Sequence, residues 1–186
     1  MTSARELLPV AAGEFGRRVH AVRPGDWTNA TPNTDWAVRD LINHLVAEHL
    51  WASPLLVGQG VHDVGDRFDG DVLGADPVAA WDTAIEASLQ AWAAAADEDT
   101  VTLSVGPAPV QRYAEEMLMD LTVHSWDLAR GIGADDRIDP ACVEHVLSYV
   151  EEHIEDLQAY GLFDPSVPTD ATDAQDRLLA RLGRHP

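Results

Sequence analysis

Asp120 and His124 lie four residues apart in the segment MDLTVHSWDLARGIG (residues 119–133), a spacing that stacks two side chains one turn apart on a helix. At 100° per residue they fall in the middle of an apolar face made by Tyr113, Met117, Leu121 and Leu128, with Asp127 at its margin. An ionisable pair on a core-facing stripe is costly unless something satisfies it. Two arrangements do so. The carboxylate and the imidazole can form a buried hydrogen-bonded pair, or both can ligate a metal ion whose other ligands come from a facing helix, as in bundle metal sites. The facing candidates are His44, Glu48 and His49. His44, Glu48, Trp51 and Leu55 make a flanking stripe beside a main apolar stripe of Val38, Leu41, Ile42, Leu45, Val46 and Leu50. A helix with two such stripes faces two neighbours, which suits a ligand held in the groove between them. His49 falls inside the main stripe, where a core histidine with one hydrogen bond is expected. His20, His62, His145, His153 and His185 have no carboxylate or histidine partner at helical spacing and read as surface or cap residues.

These residues need helices to hold them, and the punctuation of the chain supplies helices. A first helix is predicted from about Ser3 to Val22, stopped by Arg23-Pro24-Gly25-Asp26. A second is predicted to open with Thr34 as its N-cap and to continue through Leu56. Residues 58–76, rich in Gly and Asp, read as a long loop. Asp76-Pro77 opens a third helix ending near Asp97, with Pro at the favoured first position. Residues 100–109 alternate briefly and suggest a small hairpin. A fourth long helix is predicted over Val110 to Ala129, terminated by Gly131 and Gly133. A fifth starts after Asp139-Pro140 and runs to about Tyr160, and a short last one spans Asp173 to Leu182. With no convincing sheet, the class is all-α, an antiparallel four-helix core in a single domain over residues 1–186.

Composition excludes several function classes. The net charge is −20, and all twelve basic residues are Arg. Nothing resembles the basic patch that displaces counterions from nucleic-acid phosphates, and anionic membrane surfaces are equally disfavoured. No stretch approaches a membrane span and the N-terminus has no apolar signal-peptide core, so a cytoplasmic protein is expected. The single cysteine, Cys142, excludes an intramolecular disulfide and a cysteine-based zinc cluster, and its helical setting reads as a buried structural thiol. Replacement of Lys by Arg, with much Ala, Asp and Gly, is what a GC-rich genome encodes.

Three blocks carry a resemblance: TPNTDWAVRDLINHLVAEHLWAS (residues 31–53), MDLTVHSWDLARGIG, and the tail GLFDPSVPTDATDAQDRLLARLGRHP (residues 161–186). Their most specific pieces are W-x-V-R-D-L-x-N-H, VH-x-WDLAR and DRLLARLGR. In this order, over almost the whole chain, they resemble an actinobacterial metal-binding family of the DinB-like superfamily, related to the N-terminal domain of mycothiol-dependent maleylpyruvate isomerase. The resemblance implies an up-down-down-up four-helix bundle with extra short C-terminal helices and a divalent metal at one end. It also implies the ligands: His44 from the second helix, with Asp120 and His124 from the fourth. Asp120 stands where the isomerase pattern has Glu, and the shorter arm makes it the ligand whose geometry differs. The chain lacks the further C-terminal domain of the isomerase, which argues against maleylpyruvate itself as substrate.

Three N and O ligands leave a coordination position open, the arrangement of catalytic rather than structural zinc. Zinc is the first expectation, with nickel, iron or manganese also compatible. An open divalent ion deprotonates a bound thiol. The resemblance therefore implies a transferase or isomerase that uses a low-molecular-weight thiol such as mycothiol on a small electrophile. A non-catalytic metal-binding or regulatory protein and a metal-dependent hydrolase are the rival readings. Glu48 reads as a base or a fourth ligand, or else as a solvated Glu. Arg130 and Trp126 are candidates for binding the thiol cofactor, with an ion pair and core packing as their structural alternatives; Trp51 carries the same choice as a pocket wall. A monomer or a homodimer is compatible with the sequence.

Overall fold

A computed structural model describes residues 2–33, 35–104, 106–159 and 163–186. Helix α1, Ala4–His20, starts where Ser3 and Glu6 cap each other: the Ser3 amide donates to Glu6 Oε2 at 2.8 Å and the Glu6 amide to Ser3 Oγ at 3.3 Å. Helix α2 spans Val38–Leu56. Thr34, the predicted cap, lies outside the described residues, and the helix begins four residues after it. The reason is a turn: the Thr31 amide and hydroxyl both donate to the Trp36 carbonyl at 3.0 Å, so the backbone is committed elsewhere until Ala37. The Ala37 amide is then satisfied by Asp40 Oδ2 at 3.0 Å. Within the expected long loop, Val61–Val64 forms a single helical turn, α3.

Asp76 caps α4, Pro77–Ala94, by accepting from the Ala79 amide at 3.1 Å. The hairpin is present as β1, Thr100–Leu103, paired antiparallel with β2, Gly106–Pro109, and the cross-strand pair Val101 and Ala108 points into the core. Helix α5, Val110–Ile132, runs three residues past its predicted end. Gly131 is helical, and the stop is Gly133 at φ +66°, whose amide returns to the carbonyls of Ala129 and Arg130. Helix α6, Pro140–Ala159, ends just before Tyr160, which lies outside the described residues; α7, Ala174–Arg181, is capped by Asp173.

Contacts along the helices fix their directions. Arg5, at the start of α1, donates to the carbonyls of Trp92 and Ala95 at the end of α4, and Phe15 meets Trp81, so α1 and α4 are antiparallel. Arg39 at the start of α2 reaches Gly74, just before α4, and His49 meets Ser88, so α2 and α4 run parallel. Tyr113 packs on Trp92, and Arg18 reaches the carbonyls of Asp135 and Arg137 beyond α5, so α5 runs with α1. The order α1, α2, α4, α5 is therefore up-down-down-up, the expected bundle. Helix α6 covers a face of α5 that α1 and α2 leave, α7 packs on α6, and α5 is buried on nearly all sides. No described helix is long and apolar enough to cross a membrane.

The bundle closes tightly at Gly131, where a Cβ would stand 2.9 Å from Val38 Cγ2 and 3.2 Å from Thr31 Cγ2. Gly131→Ala is therefore expected to lower stability by about 1–3 kcal/mol through overpacking, despite its better helix propensity, as read by urea denaturation. An unchanged or raised midpoint would show that the α2 end of the bundle is loosely packed.

Candidate metal centre

Helix α2 supplies His44, helix α5 supplies Asp120 and His124, and antiparallel packing brings the three together. His44 Nε2 lies 3.0 Å from Asp120 Oδ2, and His124 Nε2 lies 3.1 Å from Asp120 Oδ1, so the carboxylate spans the two imidazoles. One ligand atom from each residue falls within 4.8 Å of the others, a spacing that can hold a single ion. The set of two imidazoles and a carboxylate suits a divalent metal. Trp36 backs both rings, with centroids 4.8 Å from His44 and 5.8 Å from His124.

Behind His124 stands a second carboxylate. His124 Nδ1 is 2.9 Å from Asp127 Oδ2, which leaves Nε2 for the site. Asp127 is fully buried, and Arg184 Nη2 donates to its Oδ2 at 2.8 Å while Nε donates to Oδ1 at 3.3 Å. Arg184 is itself buried, and its Nη1 donates to the Leu182 carbonyl at 2.9 Å. A carboxylate that fixes the far nitrogen of a ligating histidine is the usual outer support of a metal site, since it sets the tautomer and the ring orientation.

Electrostatics follow from this arrangement. Burial opposes charge on His124, but Asp120 and Asp127 outweigh it and push the imidazolium up to about 9. Burial likewise opposes charge on His44, and Asp120 more than offsets it, so that group is raised too. Burial would raise Asp120, yet the two imidazoles hold its carboxyl far below the usual range. Glu48, one turn beyond His44, is pushed up to about 7 by burial and then by the Asp120 charge.

A cavity of about 360 Å³ lies over the cluster, walled by Trp36, Glu48, Tyr113, Met117, Phe163 and Arg184 among others. His44 and Trp36 also wall a second cleft with Asp40, Trp51, Phe68 and Asp69. Glu48 and Trp51 thus each line a concavity. Trp126 and Arg130 line neither: the Arg130 guanidinium sits 5.3 Å over the Trp126 ring and Nη1 donates to Asp136 at 3.2 Å. His49 is a core histidine, with Nδ1 2.9 Å from Ser88 Oγ, and burial drives its imidazolium down to about 4. Two histidines without partners at helical spacing find them on other helices: His20 on Asp82 at 2.9 Å and His145 on Glu115 at 2.8 Å. Cys142 is buried and its thiol is pushed up to about 12, as an inert core residue requires.

Two consequences can be measured on metal-free protein. Since His124 binds its proton more tightly when folded than the ordinary 6.5, its contribution to stability is fully present below about pH 6.5 and is lost as pH rises through about 9. Nitrogen-15 NMR is expected to show the His124 ring titrating near 9 and the His49 ring near 4; a His124 value at or below 6.5 would remove Asp120 and Asp127 as its partners. Arg184→Met leaves the Asp127 carboxylate buried with only the imidazole against it. It is expected to lower unfolding free energy by about 3–5 kcal/mol, with a change under 1 kcal/mol showing the pair to be dispensable.

A family model described as the mycothiol maleylpyruvate isomerase N-terminal domain matches residues 8–129. No curated protein and no solved structure matches the chain. The matched stretch holds α2, α4, the hairpin and all three converging side chains, and it ends before the tail that carries Arg184. The chain belongs to the family defined by the mycothiol maleylpyruvate isomerase N-terminal domain.

Proposed function

We propose that this protein binds one divalent metal ion, zinc first, through His44, Asp120 and His124, and catalyses transfer of a low-molecular-weight thiol, mycothiol or a relative, to a small electrophile. The observation that carries the reading is the convergence of three ligand atoms within 4.8 Å at the base of a cavity sized for a small molecule. Membership of a family described by a mycothiol-dependent isomerase domain supports the choice of thiol. When bound, such an ion keeps a coordination position open and acidifies a thiol placed there.

The protein's own groups have distinct roles in this reading. Asp127 and Arg184 hold the His124 ring so that Nε2 faces the cavity. Glu48 stands half-buried on the same wall as His44 and is the carboxylate placed to take the thiol's proton and later return it. Two concavities meeting at His44 and Trp36 suit a two-substrate reaction: the electrophile occupies the cavity, and the body of the thiol lies along Trp51 and Phe68 in the second cleft. Both sides are then held in one place, which is what converts a bimolecular addition into a local one.

Protein purified without a metal-affinity tag is expected to carry about one equivalent of divalent metal, and His44→Ala or His124→Ala to abolish it, by elemental analysis. Wild-type protein that refuses metal under reconstitution overturns the reading in favour of a self-satisfied Asp–His cluster. Titration of cobalt-substituted protein with mycothiol is expected to produce a sulfur-to-cobalt charge-transfer band. Metal binding without that band removes the thiol and leaves a hydrolase or a non-catalytic metal protein.

A further inference from the structure

Resting on the metal-binding half of that reading, we propose that docking of a C-terminal strap, residues 163–186, through Arg184 and occupancy of the metal site strengthen each other, with Asp127 as the positioning residue between them.

The strap is one folded unit. Its two ends run against each other: the Val167 amide donates to the Ala180 carbonyl at 2.9 Å and the Ser166 hydroxyl to the Arg181 carbonyl at 2.7 Å. The Arg184 amide returns to the Leu179 carbonyl at 2.9 Å, and the Arg184 guanidinium carbon stands 5.4 Å over the centroid of the Phe163 ring. Leu178, Leu179 and Leu182 are buried, and α7 packs on α6. The tie to α5 is of a different kind. Arg184 sets two nitrogens on the buried Asp127, Nη2 on Oδ2 at 2.8 Å and Nε on Oδ1 at 3.3 Å. The family match stops at residue 129, so it holds Asp127 and His124 but not the residue that clamps them.

Coupling follows from the other contact of that carboxylate. Asp127 Oδ2 also lies 2.9 Å from His124 Nδ1, and the far side of the ring, Nε2, is turned to Asp120 and the cavity. With the strap docked, the carboxylate is clamped and the ring holds the one orientation that a metal uses. With Arg184 withdrawn, the carboxylate loses both guanidinium bonds and can turn from the ring, so a metal ion must order the imidazole itself. An ion that binds the docked form more tightly must hold the strap down by the same factor. Removing the outer support of a ligating histidine costs about 10–100-fold in metal affinity, which sets the size of the coupling. Phe163 and Arg184 also wall the cavity, so the form that favours metal is the form whose cavity is complete. A strap with a structural role alone would, when loosened, lower the melting temperature and leave metal affinity unchanged.

The test uses the full chain and zinc alone. Arg184→Lys keeps a positive charge beside Asp127 and so spares the fold, but an ammonium cannot grip both carboxylate oxygens as a guanidinium does. Zinc affinity, read by competition with a chromogenic chelator, is expected to fall about tenfold in Arg184→Lys and further in Arg184→Met. Hydrogen exchange at the Val167 and Leu182 amides, both bonded within the strap, is expected to slow about tenfold when wild-type protein is saturated with zinc. Arg184→Lys saturated with zinc is expected to lose most of that response. Arg177→Met, which removes the ion pair of α7 with Glu151 and spares the clamp, is expected to leave zinc affinity unchanged. Equal zinc affinity in wild type and both Arg184 variants overturns the coupling and leaves the metal site standing, as does zinc that slows the strap amides equally in wild type and Arg184→Lys. A loss of affinity in Arg177→Met as large as in Arg184→Lys overturns the assignment to the clamp. Wild-type protein that takes up no zinc overturns the site and the coupling together.

Discussion

An ionised aspartate in the interior of a helical bundle is the constraint on which this structure depends. Asp127 is fully buried near the C-terminal end of α5, and a carboxylate there is tolerable only if its charge and its lone pairs are both met. Arg184 meets them from one side with two nitrogens and His124 from the other with Nδ1. To reach that position Arg184 must be brought back from the chain's last residues. Gly183 makes this possible at φ +80°, where a Cβ would stand 2.5 Å from Asp164 Cβ. Docking the tail in turn delivers Phe163 and Arg184 to the cavity wall. Satisfaction of one buried charge therefore orients a histidine, pins the C-terminal segment and closes the site.

The parts of this site carried on single helices are legible in the sequence, because a helical period converts sequence distance into direction. Asp120 and His124 are such a pair. His44 and His49 are five residues apart, enough rotation to send one to α5 and the other to Ser88 on α4; spacing alone leaves both open, and the family resemblance implies His44. Pairs made between helices leave no period to read. His20 with Asp82 and His145 with Glu115 are of this kind, as is Arg184, which is 57 residues from its partner. The motif DRLLARLGR does contain Arg184, but a charge near a terminus reads as solvated until its partner is seen.

Periodicity also misplaces residues on the most central helix. Asp127 reads as marginal to one apolar face of α5, whereas α1, α2, α6 and the tail leave that helix with hardly any exposed side. The start of α2 fails for another reason. The turn that binds Thr31 to the Trp36 carbonyl overrides local capping preference, and it sets Trp36 against both imidazoles of the candidate site. Helix ends made by Asp76-Pro77 and Ser3 are recovered closely because cap and helix are adjacent in the chain.

Asp120, where the family resemblance implies Glu, takes on a physical meaning in this setting. The short arm centres the carboxylate between His44 and His124, with one oxygen for each and none to spare. The candidate ligand atoms are thus gathered while their protonation opposes a metal, because the same carboxylate that gathers the imidazoles stabilises their protons. Binding of a cation there must release those protons, and affinity must rise with pH until the imidazoles are neutral. A net charge of −20 works in the same direction at longer range, concentrating cations and repelling anions around the whole molecule. At close quarters the carboxylates of Asp120 and Glu116 on the cavity wall act in the same sense, so the long-range field and the local one both favour a cation over an anion where the imidazoles have given up their protons.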